Sequence, residues 1–149
     1  MKIKEKTNPK FLTKNSKGII NGFLVPIYNI HDNFFPKDQE PQQVYLTVIS
    51  KNNMKGPHLH FVRTGCFTCI RGNCRFILKT PEGYKVFKSG DEYEFRTVMV
   101  PTGIPAVLQN LGDDDAYVLN MPYPAWTSDM NDEYDADFSD FDFNSDNHV

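Results

Sequence analysis

A short run of β-branched or aromatic residues, closed by Gly, Pro or Asn, recurs roughly every 8 to 15 residues through most of this chain, and no sustained helical period competes with it. Such a pattern folds into strands joined by tight turns. Strands are expected at 18–26, 43–50, 58–61, 66–71, 73–79, 84–88, 95–100, 106–110 and 116–121. Between them stand Lys55-Gly56-Pro57, Arg71-Gly72-Asn73, Pro81-Glu82-Gly83, Pro101-Thr102-Gly103 and residues 112–115, whose Gly, Pro, Asn and Asp supply fixed or positive φ angles. Nine strands with turns of this kind imply an all-β sandwich or jelly roll. In the run at 73–79, Cys74, Phe76 and Leu78 share one face and Arg75, Ile77 and Lys79 the other, the first face being the more apolar.

The chain has 149 residues, enough for one domain with its own core and no need of a disulfide or structural metal. Residues 1–17 read as a mobile arm or an edge strand given to a partner, 18–128 as the domain body, and 129–149 as an acidic tail. Residues 31–42, with Pro36 and Pro41, read as a long loop. Charge is divided unevenly along the chain. All 16 Lys and Arg and 11 of the 19 acids lie in residues 1–128, for a net +5, whereas the tail carries eight acids and no Lys or Arg. A basic body suits an anionic ligand, or the tail folds back over it. The tail also carries Tyr134, Phe138, Phe141 and Phe143, so it is expected to pack on the body at least as far as Phe143.

Several function classes drop out. The lysines of the first 17 residues are diluted by Asn, Thr and Pro and come with no nucleic-acid motif. No apolar run approaches the length of about 18 residues that a membrane span needs. The start lacks a signal-peptide core, and three cysteines cannot all pair, which together point to a cytoplasmic protein with reduced thiols. Cys66 and Cys69, three apart on a strand, face opposite sides and read as core packing.

The sharpest local signal is Lys55-Gly56-Pro57-His58-Leu59-His60. Histidines at i and i+2 of a strand share a face, so His58 and His60 line one wall as a general base or as metal ligands. Two histidines alone make a poor site for a divalent transition metal, so proton chemistry next to a carbonyl is the better reading. An enolate then needs a cation nearby, and Arg63 and Lys55 are the nearest in sequence. On an unbroken strand Arg63 would point away from His60, so its role requires a bend.

From residue 43 to 128 these features resemble a known family, the cupins that act on nucleotide-linked 4-keto-6-deoxyhexoses: the dTDP-4-dehydrorhamnose 3,5-epimerases and the sugar 3,4-ketoisomerases. Lys55-Gly56-Pro57-His58 is similar to the epimerases' Arg-Gly-Leu-His, whose histidine is the base. His58-Leu59-His60 followed by Cys69-Ile70-Arg71-Gly72 is similar to the ketoisomerases, in which paired histidines line the site. Val100-Pro101-Thr102-Gly103 matches the Ile-Pro-x-Gly segment of both, and Pro101 to Asn110 keeps the frame of the second cupin motif with Ala106 at its histidine position. Pro124-Ala125-Trp126 and Asp137-Phe138-Ser139-Asp140 resemble a short subgroup found in surface-polysaccharide clusters.

The resemblance implies a cupin double-stranded β-helix, assembled as a homodimer whose N-terminal strands cross to the partner. It implies a dTDP- or UDP-sugar substrate and a metal-independent, cofactor-free isomerase or epimerase. His58 would be the base and His60 its partner in proton relay or orientation, with Lys55, Arg63, Tyr45, Asn120 and Tyr123 on the substrate. The epimerases' tyrosine acid aligns with Asn120 and their lysine with Gly65, which leaves Tyr45, Tyr117 and Tyr123 as alternative acids. Those departures also leave open a silent cupin that binds a sugar nucleotide or regulates a partner enzyme.

Overall fold

A computed structural model describes residues 2–145. Two five-stranded antiparallel sheets face each other. The chain lays down β1 (Lys4–Asn8), β2 (Phe11–Lys14), β3 (Ile20–Leu24), β4 (Tyr45–Ile49), β5 (Met54–Leu59), β6 (Gly65–Arg71), β7 (Asn73–Thr80), β8 (Gly83–Gly90), β9 (Phe95–Val100), β10 (Ala106–Asn110), β11 (Ala116–Asn120) and β12 (Tyr134–Asp135). The first sheet runs β1-β9-β6-β11-β4, the second β12-β5-β10-β7-β8, and β2-β3 forms a separate hairpin. This is a jelly roll, and the turn-bounded runs from 66 to 121 lie within a residue or two of β6 to β11. No helix among the described residues is long and apolar enough to cross a membrane.

The alternation read at 73–79 explains the core. Cys74, Phe76 and Leu78 point inward to Ile49, Cys69, Val98, Val100, Leu108 and Val118. Burying each such side chain stabilises the fold by about 1.5–3 kcal/mol. The opposite face of β7 is buried as well, because the tail covers it. Ile77 and Val107 pack against Phe138 and Phe141, and Arg75, only 1% exposed, donates to the carbonyls of Ser145 at 2.6 Å and Phe143 at 2.9 Å. Lys79 donates to Asp137 O at 2.7 Å. Among the described residues, basic side chains of the second sheet thus reach main-chain carbonyls of the tail. Cys66 lies on the outer face of the first sheet with Met99, Met121 and Phe34, opposite in direction to inward-facing Cys69. Burial pushes its thiol up to about 12, so it stays protonated and unreactive.

Three stretches differ from the sequence expectation. The arm of residues 1–17 holds two strands: β1 pairs with β9 of the same chain, and β2 pairs with β3, the only strand formed in 18–26. Lys4 and Lys6 donate to the carbonyls of Phe34 and Ile27, so these lysines tie down the 25–42 loop. That loop carries a 3-10 turn, Ile30–Asp32, capped by the Asn29 side chain. The third difference lies at the histidines. Lys55-Gly56-Pro57 is not a turn, since β5 runs through it from Met54.

Candidate active site

That correction builds the site. Lys55 pairs with Leu108 and His58 with Ala106, so Gly56 and Pro57 together oppose Val107 alone. An extra residue in one strand of a pair is a β-bulge, and it turns two side chains three apart onto the same face. Lys55 joins His58 and His60 on the inner wall for this reason. Gly56 makes the bulge possible: it sits at φ +97, and a Cβ there would stand 2.6 Å from Ala106 O.

The wall belongs to a cavity of about 480 Å3 at one end of the sandwich. Its floor is apolar, from Phe67, Val100, Ile104, Ala106 and Leu108, and its polar lining residues are Tyr45, Thr47, Lys55, His58, His60, Arg63, Thr64, Asn120 and Glu133. Six of the seven residues expected at the site therefore meet here. Tyr123 does not: its contribution is its carbonyl, which accepts from Thr64 N at 2.8 Å and Thr64 Oγ1 at 3.2 Å. Tyr117 lies on the outer face of the first sheet with the Arg71 guanidinium over its ring.

Arg63 reaches the cavity because the chain bends after β5. Asp132, 5% exposed, accepts from the backbone N–H groups of Phe61 (2.9 Å), Val62 (3.0 and 3.1 Å) and Arg63 (3.0 Å). Three N–H groups converging on one carboxylate form a tight turn that reverses the strand. Burial works to raise the Asp132 pKa, but these donors and His60 outweigh it and hold the carboxyl below its ordinary 3.8. The bend aims Arg63 Nη2 at His60 Nε2, 3.1 Å away, and Nη1 at the Tyr45 hydroxyl, 3.3 Å away.

A guanidinium only donates, so His60 Nε2 is the acceptor and the ring is neutral with its proton on Nδ1. Burial lowers the His60 pKa from 6.5, Arg63 and His58 push the same way, and Asp132 and Glu133 oppose them. The folded pKa thus lies below the unfolded one. Stability that His60 contributes above pH 6.5 is lost as pH falls from there through the lowered pKa, because the unfolded chain takes up the proton first. Thermal melts across pH 5 to 8 should show that decline, and His60→Gln should flatten it.

Glu133 comes from the tail, beside β12. Its Oε1 stands 3.4 Å from His58 Nδ1 and 3.8 Å from His60 Nε2. No reading of the sequence singled it out, since one acid among eight in the tail carries no spacing signal to residue 58. The only hint was the aromatic content that made the tail pack, and Tyr134 does pack against Phe61, with ring centroids 5.4 Å apart and the planes tilted by 58°. Among the described residues no three His, Cys, Asp or Glu are arranged to hold a metal ion, and the lone pair that His60 would offer one is held by Arg63.

No protein-family model and no curated protein matches this chain. Solved structures do. A dTDP sugar isomerase from Desulfovibrio desulfuricans superposes with a TM-score of 0.74 at 14% identity, over 91% of this chain and 83% of its own. The rmlC epimerase of Mycobacterium tuberculosis gives 0.70 at 17% identity, over 89% and 68%. A variant of the 3,4-ketoisomerase from Thermoanaerobacterium thermosaccharolyticum, solved with TDP-4-keto-6-deoxyglucose, gives 0.65 at 15% identity, over 89% and 86%. Through about nine-tenths of its length, then, this chain has the cupin fold of the dTDP-sugar epimerases and 3,4-ketoisomerases.

Proposed function

We propose that this protein is a metal-independent isomerase or epimerase of a nucleotide-linked 4-keto-6-deoxyhexose, working by enolisation next to the keto group. The observation that carries the reading is a histidine with a carboxylate behind it and an arginine beside it, on one wall of a cavity with an apolar floor. Glu133 at Nδ1 of His58 favours the tautomer with its proton on Nδ1, which leaves Nε2 as the base. As Nε2 takes a proton from the carbon next to the carbonyl, the positive charge on the ring is balanced by Glu133 and the negative charge on the enolate oxygen by Arg63. His60 has a different part from a relay: its lone pair holds the guanidinium in place. Lys55 stands across from Thr47 at the cavity wall, where a diphosphate has a cation to meet. The apolar floor suits the methyl group of a 6-deoxy sugar. The neighbour solved with TDP-4-keto-6-deoxyglucose supports this substrate class. The setting proposed is the cytoplasmic supply of deoxysugars for surface polysaccharide.

Proton NMR of dTDP-4-keto-6-deoxyglucose in heavy water tests the reading. Signals at carbons 3 or 5 should vanish faster with protein than without, and a new sugar should form. Saturable binding without exchange would instead mark a silent binding cupin, and no binding would leave only the fold in common with the neighbours.

The working unit proposed is a homodimer. The β2-β3 hairpin exposes Phe11, Leu12, Ile20, Phe23 and Leu24, and β4, an edge strand, exposes Leu46 and Val48. A two-stranded hairpin is marginal by itself in water, and apolar surface of this kind marks an interface. Sedimentation equilibrium should give twice the chain mass, and Ile20→Asp with Phe23→Asp should give the single chain mass.

A further inference from the structure

From Asp132 onward the tail runs along the second sheet, and its two ends have different surroundings. At the cavity end, Asp132 takes the N–H groups of the 61–63 turn and Glu133 stands against His58. Tyr134 and Asp135 then pair with Leu59 and His58 as β12, and Ala136 N donates to Pro57 O at 3.3 Å. The far end is an anchor. Phe138, 4% exposed, and Phe141, 6% exposed, pack with Ile77 and Val107, and their ring centroids lie 5.1 and 4.9 Å from that of Tyr84 on β8. Arg75 and Gln109 both donate to Phe143 O, at 2.9 and 3.1 Å. Neither Phe138 nor Phe141 lines the cavity, and neither belongs to the inner core around Phe76, Val98 and Val118.

We infer that Phe138 and Phe141 are positioning residues: they strap the tail to the outside of the second sheet so that Asp132 and Glu133 reach the site. The part of the inference that concerns activity rests on the enolisation proposed above. β12 has two residues, both exposed, so its pairing is a weak hold by itself. Burial of the two phenylalanine rings is the stronger one, because lifting the tail would return them, and the face of Ile77 and Val107 beneath them, to water. An undocked tail takes two groups from the site at once, the carboxylate behind His58 and the acceptor whose turn aims Arg63 at His60. The inner core stays closed, since it holds no residue of the tail. Such a local opening disables the site without unfolding the sandwich.

Phe141→Ala in the full chain tests this at both ends. Amide hydrogen exchange at Phe61, Val62 and Arg63 should speed up about 10-fold or more, while amides of β6, β9 and β11 keep their wild-type rates. Solvent exchange at the reacting carbon of dTDP-4-keto-6-deoxyglucose should slow about 10-fold or more, because a small misplacement of catalytic groups is costly. Phe138→Ala should repeat both effects, and Phe141→Leu, which keeps most of the apolar volume, should restore both. A double-mutant cycle identifies the route: Arg63→Gln should cost about 10-fold less in the Phe141→Ala background than in wild type, where the guanidinium is still aimed. Unchanged amides at 61–63 in both alanine variants overturn the inference. So does faster exchange spread evenly over β6, β9 and β11, which makes the two rings part of the fold and nothing more, and so do losses from Phe141→Ala and Arg63→Gln that simply multiply. If Phe141→Ala does not fold, Phe143→Ala, at a partly buried ring of the same cluster, carries the same comparison. A wild-type protein that exchanges neither sugar carbon overturns the enolisation reading, and the amide rates then decide this inference alone.

Discussion

Replacing His58 by Asn should slow solvent exchange at the reacting carbon by about 10²- to 10⁴-fold, the usual contribution of a positioned general base. The fold should survive. His58 has 37% of its side chain exposed, and the ionic partner it gives up, Glu133, is 57% exposed, so no buried group is orphaned. A separate variant, Glu133→Gln, keeps the base but removes the charge that favours its tautomer and its protonated form. Losing a contact at 3.4 Å between two exposed side chains, worth about 0.2–1 kcal/mol, corresponds to a roughly 1.5- to 5-fold slower exchange. The order of the two effects is the informative part. If Glu133→Gln were as damaging as His58→Asn, the carboxylate would be the base. Unchanged exchange in His58→Asn would mean that the wrong histidine had been chosen. His60→Gln separates these possibilities further, because an amide oxygen can still accept from Arg63, and so it should retain most of the exchange rate.

The second large effect is on stability and site geometry together. Asp132→Ala leaves the N–H groups of Phe61, Val62 and Arg63 without their acceptor. An unsatisfied buried donor costs about 1–3 kcal/mol, but Phe61 and Val62 are exposed residues and water can reach part of this turn. A total of about 2–3 kcal/mol is expected, which for a chain of this size lowers the melting midpoint by roughly 5–10 °C. Exchange activity should fall as well, because the bend is what turns the Arg63 guanidinium toward His60 and Tyr45. Asp132→Asn keeps one acceptor oxygen and should lose about half as much stability. The pH dependence separates charge from geometry. The folded Asp132 pKa lies below 3.8, so its stabilisation is present above that value and disappears as pH falls through the folded pKa. Wild type should show that acid limb, and Asp132→Asn should lack it. A melting midpoint in Asp132→Ala within 1–2 °C of wild type would show that water replaces the carboxylate without cost.

The contrast between β7 and β5 separates what is local from what is not. Along β7 the residues alternate in and out, and the inward set, Cys74, Phe76 and Leu78, was readable because the period of a strand is two regardless of its partners. The pairing of His58 with His60 on one wall follows from the same period. Lys55 does not obey it, since the bulge at Gly56 and Pro57 depends on what β10 places opposite. Nor does Arg63, whose direction is set by Asp132, 69 residues away.

Strand content, the jelly-roll class and the histidine wall are thus properties of the sequence alone, because each rests on neighbours within a few residues. The turns at Arg71-Gly72-Asn73, Pro81-Glu82-Gly83 and Pro101-Thr102-Gly103 are of the same kind, whereas Lys55-Gly56-Pro57 is strand. Glu133 behind His58, the Asp132 turn, the donation from Arg63 and Asn120 onto the Tyr45 hydroxyl and the second buried face of β7 exist only in the tertiary structure. Each joins groups separated by 18 to 75 residues, and the closing of such a loop leaves no periodic mark on a sequence. It is decided by the burial and hydrogen bonding gained when the tail docks on the second sheet.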